Sequence, residues 1–180
     1  TIEVGVCIND NFWGTGSAPA SIKAGRLEKI RTDCSYFSNH SLEQPISKAI
    51  VGKCYTDQKD FDDDIDLLNQ RYKLGSDLTL SLSIAFCRAS ASLMKIPLFK
   101  YISDIMQTKT QFGSTRPYGA GFLFGGWDKN FGYQLYNTEP SGIYNAWKAH
   151  AIGKNDQSAQ SSLKQYYEND MKLQDGLKLA

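Results

Sequence analysis

The sequence runs to 180 residues, 41% hydrophobic and 22% charged, with a formal net charge of +1 at pH 7, values that suit one compact domain or two small ones. So small a net charge provides no long-range field for steering onto nucleic acid or an anionic membrane, and no apolar run approaches the roughly 18 residues that span a bilayer. Cys7, Cys34, Cys54 and Cys87 are scattered without a CxxC pair and His40 and His150 lie far from them, which predicts reduced, mostly buried thiols in a cytosolic setting and argues against a transition-metal site.

No signal-peptide pattern opens the chain, and its first residues read as the inside of a strand, with Ile2, Val4, Val6 and Ile8 alternating on one face. The stretch "NDNFWGTGSAPAS" (residues 9–21) gathers Asn, Gly, Ser and Pro, and predicts a turn followed by a flexible loop. A helix is expected from Ser41, with Pro45 in its first turn, where an N–H is not needed, and Ile46, Ala49 and Ile50 on one side. The next helix has Thr56 as its expected N-cap. Acids crowd its first turns, where the dipole favours them, and Phe61, Ile65, Leu68 and Tyr72 recur every three or four residues. Its carboxylates (Asp57, Asp60, Asp62, Asp63, Asp64 and Asp66) lack the loop glycine and terminal Glu of a calcium-binding EF-hand, so they read as a solvated helix face.

Residues 76–94 are locally ambiguous. Leu78, Leu80, Leu82, Ile84 and Phe86 alternate strictly, as in a strand, whereas the unbroken length and the small residues Ala85, Ala89, Ser90 and Ala91 argue for a buried helix; the local pattern alone favours a strand. After Gly113 the texture becomes glycine- and aromatic-rich. "YGAGFLFGGWD" and "GYQLYNTEP" predict two strands joined by the polar "DKNF" turn, and "SGIYNAWKAHAIG" predicts a third, ended by Gly153. Asn155 or Asp156 then caps a helix with Ala159, Leu163 and Tyr166 along one side, and a last helix is expected in "DMKLQDGLKLA". No internal repeat, Walker loop, helix-opening GxGxxG or nucleophile elbow occurs. Arg116, Lys148, Lys154 and Lys164 are interleaved with acids, so no nucleic-acid stripe forms, and Trp13, Phe131 and Tyr133 read as packing or interface residues.

Residues 1 to 105 resemble the N-terminal domain of enolase. The resemblance is carried by "TIEVGVCI", "ISKAI", "VGKCYTDQKDFDDDIDLLN" and, over the longest span, "KLGSDLTLSLSIAFCRASASLMKIPLFKYISDI". It implies strands followed by helices, and makes 76–92 a helix despite its alternation. Enolase catalysis also needs a large C-terminal barrel that supplies the magnesium carboxylates and the catalytic lysine and glutamate, none of which lies in these residues. The family's N-terminal domain contributes a mobile loop whose first serine binds magnesium. Ser17 or Ser21 would be its remnant here, although the aligned position falls nearest Ala18 and Pro19 replaces a flexible glycine. A hard cation needs several oxygen ligands, which this loop alone does not supply, so no cofactor is expected and Mg2+ only if the loop is functional.

Residues 104 to 180 resemble the C-terminal half of a proteasome core-particle α-type subunit, through "DIMQTKTQFGSTRPYG", "FLFGGWD", "YQLYNTEPSGIYNAWKAHAIG" and "SAQSSLKQYY". The interface and fold motif so implied comprises Arg116, Pro117, Gly119, Pro140, Gly142, Tyr144 and Trp147. Pro117 and Gly119 bend the chain into a strand, the Pro140–Gly142 turn reverses it, and Tyr144 and Trp147 are expected to fill a sheet–helix core. The α-type subunits are noncatalytic and build the outer ring and gate, so the resemblance implies assembly contacts rather than hydrolysis. The gating tail and first β-hairpin of such a subunit are not matched. Related β-type subunits cut peptides with an N-terminal threonine, but Asp33 and Ser17 stand where that family places its lysine and acid, which leaves Thr1 without the partners a nucleophile requires.

The expected fold is therefore α+β: an enolase N-terminal-like unit over 1–105 joined to a partial Ntn-hydrolase-type (proteasome α) sheet-and-helix unit over 106–180, the join falling within residues 95–119. Half of such a fold exposes a large apolar face, which seeks a partner. The first functional expectation is a noncatalytic structural or assembly protein made of both pieces. Its partners would be proteins, proteasome subunits or a larger assembly, with no nucleic acid and no membrane, in the cytoplasm and also the nucleus. The alternatives are an α-type ring subunit, or fragment of one, in ubiquitin-dependent proteolysis, and a truncated enolase-like protein of magnesium-dependent glycolytic chemistry.

Overall fold

The computed structural model describes residues 2–18, 43–111 and 116–179. Among these the elements run β1 (Ile2–Ile8), β2 (Phe12–Ala18), α1 (Glu43–Ile50), α2 (Gln58–Tyr72), α3 (Ser76–Met94), α4 (Leu98–Gln111), β3 (Phe122–Asp128), β4 (Gly132–Thr138), β5 (Tyr144–Trp147), α5 (Asp156–Tyr166) and α6 (Leu173–Leu179). The architecture is mixed α+β, and it divides into two compact units, Thr1–Leu98 and Phe99–Ala180.

In the first unit, β1 and β2 form an antiparallel hairpin in a register that sets Val4 opposite Gly16 and Val6 opposite Gly14. Asn9 and Asp10 turn the chain at φ 51° and 57°, left-handed values that Asn and Asp tolerate better than other side-chain-bearing residues. The flexible loop expected after this turn is instead strand β2 up to Ala18. Its small residues answer to packing: a Cβ on Gly16 would lie 2.0 Å from the Ser81 carbonyl oxygen, and one on Gly14 would lie 2.1 Å from that of Ala85. The backbone of α3 thus rests directly on that of β2, and Arg88 Nη1 reaches across to donate to the Thr15 carbonyl at 2.5 Å.

The alternating leucines of residues 76–94 resolve into a helix, as the enolase resemblance implied and the local pattern did not. Leu78, Leu82 and Phe86, four residues apart, face the core with Ala85 and Ala89 beside them, while Leu80 is 52% exposed. They meet Ile46 of α1, Phe61 and Ile65 of α2, and Leu74, with the apolar face of β1 packed alongside. Phe61 stacks on Phe86 at a centroid separation of 4.1 Å, and Tyr55 meets both rings edge-on.

Helix α2 is capped by Asp57, whose carboxylate accepts from the Asp60 N–H at 2.9 Å. Thr56, the expected cap, lies one residue too early and donates its hydroxyl to Asp60. The acids of this helix divide their tasks. Asp63 pairs with Lys59 one turn earlier, whereas Asp62 is partly buried and accepts from Gln58 Nε2 at 3.0 Å, burial pushing its carboxyl above the ordinary range. Asp64 accepts from Lys53 Nζ at 2.6 Å and from the Tyr55 hydroxyl at 3.0 Å. These two donors hold the Asp64 carboxyl below the ordinary range, while burial and then Asp64 itself push the Tyr55 phenol up.

In the second unit β3, β4 and β5 form an antiparallel sheet in that order. The turn between β4 and β5 closes through Gly142 N–H to the Glu139 carbonyl at 2.9 Å, with Gly142 at φ 86°, which only glycine adopts without strain. A Cβ there would also lie 2.6 Å from the Gln107 nitrogen, so the turn is pressed onto α4. Asn155 stands at the N-cap of α5 without a side-chain cap bond, and neither α5 nor α6 has a buried residue.

Two outcomes are expected from these contacts. Gly16→Ala should destabilise the chain in urea by about 3 kcal/mol, because a new methyl would meet backbone that cannot yield. Gly5→Ala, whose Cβ would meet only the Trp13 ring at 3.8 Å, should shift stability by less than about 1 kcal/mol; equal losses at both positions would contradict the close strand–helix approach. Asp64→Asn should cost about 1 kcal/mol at pH 7. Because the folded pKa of Asp64 is depressed, its contribution is complete above the unfolded value, near 3.9, and is lost as pH falls through the folded one. Thermal unfolding of parent and variant across acid pH should therefore show the gap closing, not widening.

Candidate functional site

The pairing of the second sheet assigns its side chains to two faces. Leu123 lies opposite Asn137, Gly125 opposite Leu135, and Trp127 opposite Tyr133, while Leu135 lies opposite Trp147, so these residues share one face. Phe122, Phe124, Tyr136 and Tyr144 share the other. That second face is covered by α4, where Phe99 stacks on Tyr136 at 3.8 Å and meets Tyr144 at 5.2 Å.

The first face is open over much of its width. Trp127 is 65% exposed and Tyr133 89%, side chains that each carry roughly 150–250 Å2 of mostly apolar surface. One end is ordered by polar contacts: Trp147 Nε1 donates to Asn137 Oδ1 at 2.8 Å, and the indole stacks on His150 at 4.4 Å. His150 Nδ1 lies 2.6 Å from Gln160 Nε2 on α5, which fixes the ring against the helix.

The residues singled out from sequence fall on separate parts of this unit. Arg116, Pro117 and Gly119 lie exposed in the segment leading to β3, where Lys109 of α4 sits 4.6 Å over the Tyr118 ring. Pro140 and Gly142 belong to the turn on α4. Tyr144 and Trp147 point to opposite faces and remain 42% and 43% exposed, so they do not provide the bulk of a core. Three residues apart in one strand, their side chains cannot share a face. Sequence reading overlooked Phe99, Asn137 and Gln160, whose roles depend on contacts across elements rather than on local pattern. Asn137 is buried, and its position in an aromatic strand beside a turn was the available signal.

Of the metal and nucleophile candidates, Ser17 lies among the described residues. Ser17 is an exposed residue of β2 opposite Glu3, held in a strand rather than a mobile loop. Thr1, Ser21 and Asp33 lie outside the described residues. Among the described residues no group of three His, Cys, Asp or Glu side chains converges as a metal site. Cys54 is exposed, against the expectation of mostly buried thiols, while Cys7 and Cys87 are partly covered. Burial pushes the Cys87 thiol up to about 12, which keeps it protonated and unreactive at neutral pH. Among the described residues, what the second unit offers is exposed aromatic area on its sheet.

Comparison with known proteins separates the chain at the same region. Residues 1–102 match the enolase N-terminal domain and residues 89–180 match the proteasome subunit family. Proteasome subunit alpha type-4 of Spinacia oleracea is 55% identical over 83 residues, covering 46% of this chain and 33% of the spinach protein. The Petunia hybrida protein of the same name is 51% identical over 83 residues, with the same coverage of each chain. Proteasome subunit alpha type-4-1 of Oryza sativa subsp. japonica is 49% identical over 88 residues, covering 47% of this chain and 35% of the rice protein. The chain spans about a third of the length of these curated relatives. It belongs to the enolase N-terminal domain family through residues 1–102 and to the proteasome subunit family through residues 89–180.

Proposed function

We propose that the chain is an α-type component of the proteasome core particle, contributing noncatalytic ring contacts in the cytoplasm through its second unit. The observation that carries this reading is the identity of 49–55% to α type-4 subunits over 83–88 residues, together with a sheet that presents aromatic side chains to solvent. An isolated subunit gains nothing from exposing Trp127 and Tyr133; a subunit that buries them against neighbours gains roughly 25 cal/mol for each Å2 of apolar surface covered. In this reading the sheet and α4 belong to an Ntn-hydrolase-type arrangement completed by assembly. The enolase-type unit acts as a folded scaffold, built around its own core of Phe61, Leu74 and Leu78, and carries no 2-phosphoglycerate chemistry.

Gradient sedimentation tests this proposal. The full chain, tagged and expressed in cells with an intact proteasome, should sediment with the core particle, followed by blotting for the tag and for resident α-type subunits. Sedimentation only as free protein would overturn it. Turnover of 2-phosphoglycerate by the purified chain with magnesium would instead favour the enolase-like reading.

A further inference from the structure

Strand β3 lies at the edge of its sheet, paired with β4 on one side, and no strand among the described residues pairs with its other side. Such an edge presents unpaired N–H and C=O groups, and soluble proteins usually blunt it with proline, lysine, a bulge or a very short strand. The sequence FLFGGWD uses none of these: it is seven residues long, with a single charge at its last position. The opposite edge, β5, has four residues and is followed directly by Lys148. The exposed edge of β3 is therefore the one open to pairing.

We propose that β3 pairs antiparallel with β3 of a second copy of this chain, about a two-fold axis at Gly125, joining two three-stranded sheets into one of six strands. The strand is self-complementary in this register. Gly125 meets Gly125 at the axis, Phe124 lies opposite the second copy's Gly126, and Leu123 lies opposite the second copy's Trp127. Leu123, Phe124 and Trp127 thus each have a glycine or a packing partner across from them, and the Phe124 ring covers the bare backbone of a cross-strand glycine. Phe122 lies opposite the second copy's Asp128, which separates the two Asp128 carboxylates by the length of the strand and avoids a like-charge pair. A Cβ added at Gly125 or Gly126 would meet nothing within 4 Å, so neither glycine is required by the packing of its own chain. Leu123 and Trp127, both exposed, become neighbours across the axis on the open face of the sheet.

Two seven-residue strands bury less than the roughly 1,200 Å2 of a standard interface, so the dimer is concentration-dependent, with dissociation in the micromolar range. The pairing needs only the sheet of the second unit and stands whether or not the chain enters a proteasome particle.

Sedimentation equilibrium of the purified full chain between roughly 1 and 100 μM, a range that brackets such affinities, should show the mass rising from 20.1 kDa toward twice that value. Trp127→Lys should weaken association by at least about tenfold. Register is tested by Gly125→Cys in a chain whose four native cysteines are changed to serine. Facing Cα atoms in an antiparallel pair stand about 4.5–5.5 Å apart, within disulfide reach. Mild oxidation should therefore cross-link Gly125→Cys at least tenfold faster than Lys129→Cys, which the pairing holds far from its counterpart. A mass of 20.1 kDa at every concentration, or equal cross-linking at the two positions, would overturn the proposal. The cross-linking comparison decides it even if Trp127→Lys fails to fold.

Discussion

The first unit depends on one close approach, that of the α3 backbone to the β2 backbone. Gly14 and Gly16 leave room for the carbonyl oxygens of Ala85 and Ser81 at distances no side chain would permit. Once the helix is seated there, its other exposures follow from the 3.6-residue turn. Leu78, Leu82 and Phe86 are carried round to Phe61, Ile65 and Leu74, and β1, locked to β2 by register, brings Val4 and Val6 to the same cluster. Ser81 is buried at the contact, and its hydroxyl donates to the Asp77 carbonyl within its own helix at 2.8 Å and reaches the Ile2 carbonyl of β1 at 3.4 Å. A helix held this closely can afford small residues in its second half, because proximity replaces side-chain bulk.

In the second unit the close backbone approach is confined to a turn, that of Gly142 against Gln107 of α4. Its buried apolar residues among those described are Tyr101 and Met106 of α4, while the polar Asn137 and Thr138 are buried in β4. Order comes instead from directional contacts: the Gly142 turn against Gln107, the Phe99–Tyr136 stack, and the Asn137–Trp147–His150–Gln160 chain. Such contacts specify geometry well but bury little apolar surface, and it is burial that supplies most folding free energy. A unit organised in this way leaves its largest stabilising term to whatever covers the open face and edge of its sheet.

Much of this was legible in the sequence, and the failures share a cause. Period and caps located the helices of residues 43–72 and 156–166, and the Gly-and-aromatic texture located the β3–β4 hairpin, since these signals are local. Residues 12–18 read as a loop because glycine and serine are ambiguous between flexibility and close packing, and the helix that decides the matter lies some seventy residues later in the chain. The alternation in 78–86 read as a strand because Leu80 keeps an apolar side chain in solvent, which composition cannot foresee. Thr56 and Asp57 are both good caps; backbone entry at Asp57, φ −151°, selects the second. Tyr144 and Trp147 were grouped by their bulk when strand geometry divides them. As for candidate sites, the open face of the second sheet could be anticipated only from the family resemblance.

The two family matches overlap over residues 89–102, and the structure explains how one segment can satisfy both. Helix α3 ends with Lys95 in the left-handed conformation, its N–H directed at the carbonyls of Ala91 and Ser92, and Pro97 follows, a residue that cannot continue a helix and suits the start of the next. From Leu98 a single helix runs to Gln111 without a break, through residue 102, where the match to the enolase N-terminal domain ends. An α-helix closes its hydrogen bonds within four residues, so its backbone is indifferent to which family supplied each turn; only the side chains it presents must suit what lies on either side. A change of family inside a strand would require a new pairing partner and register at once. The overlap of the two matches therefore falls largely in helix, the kind of element that can satisfy both patterns at the lowest cost to local structure.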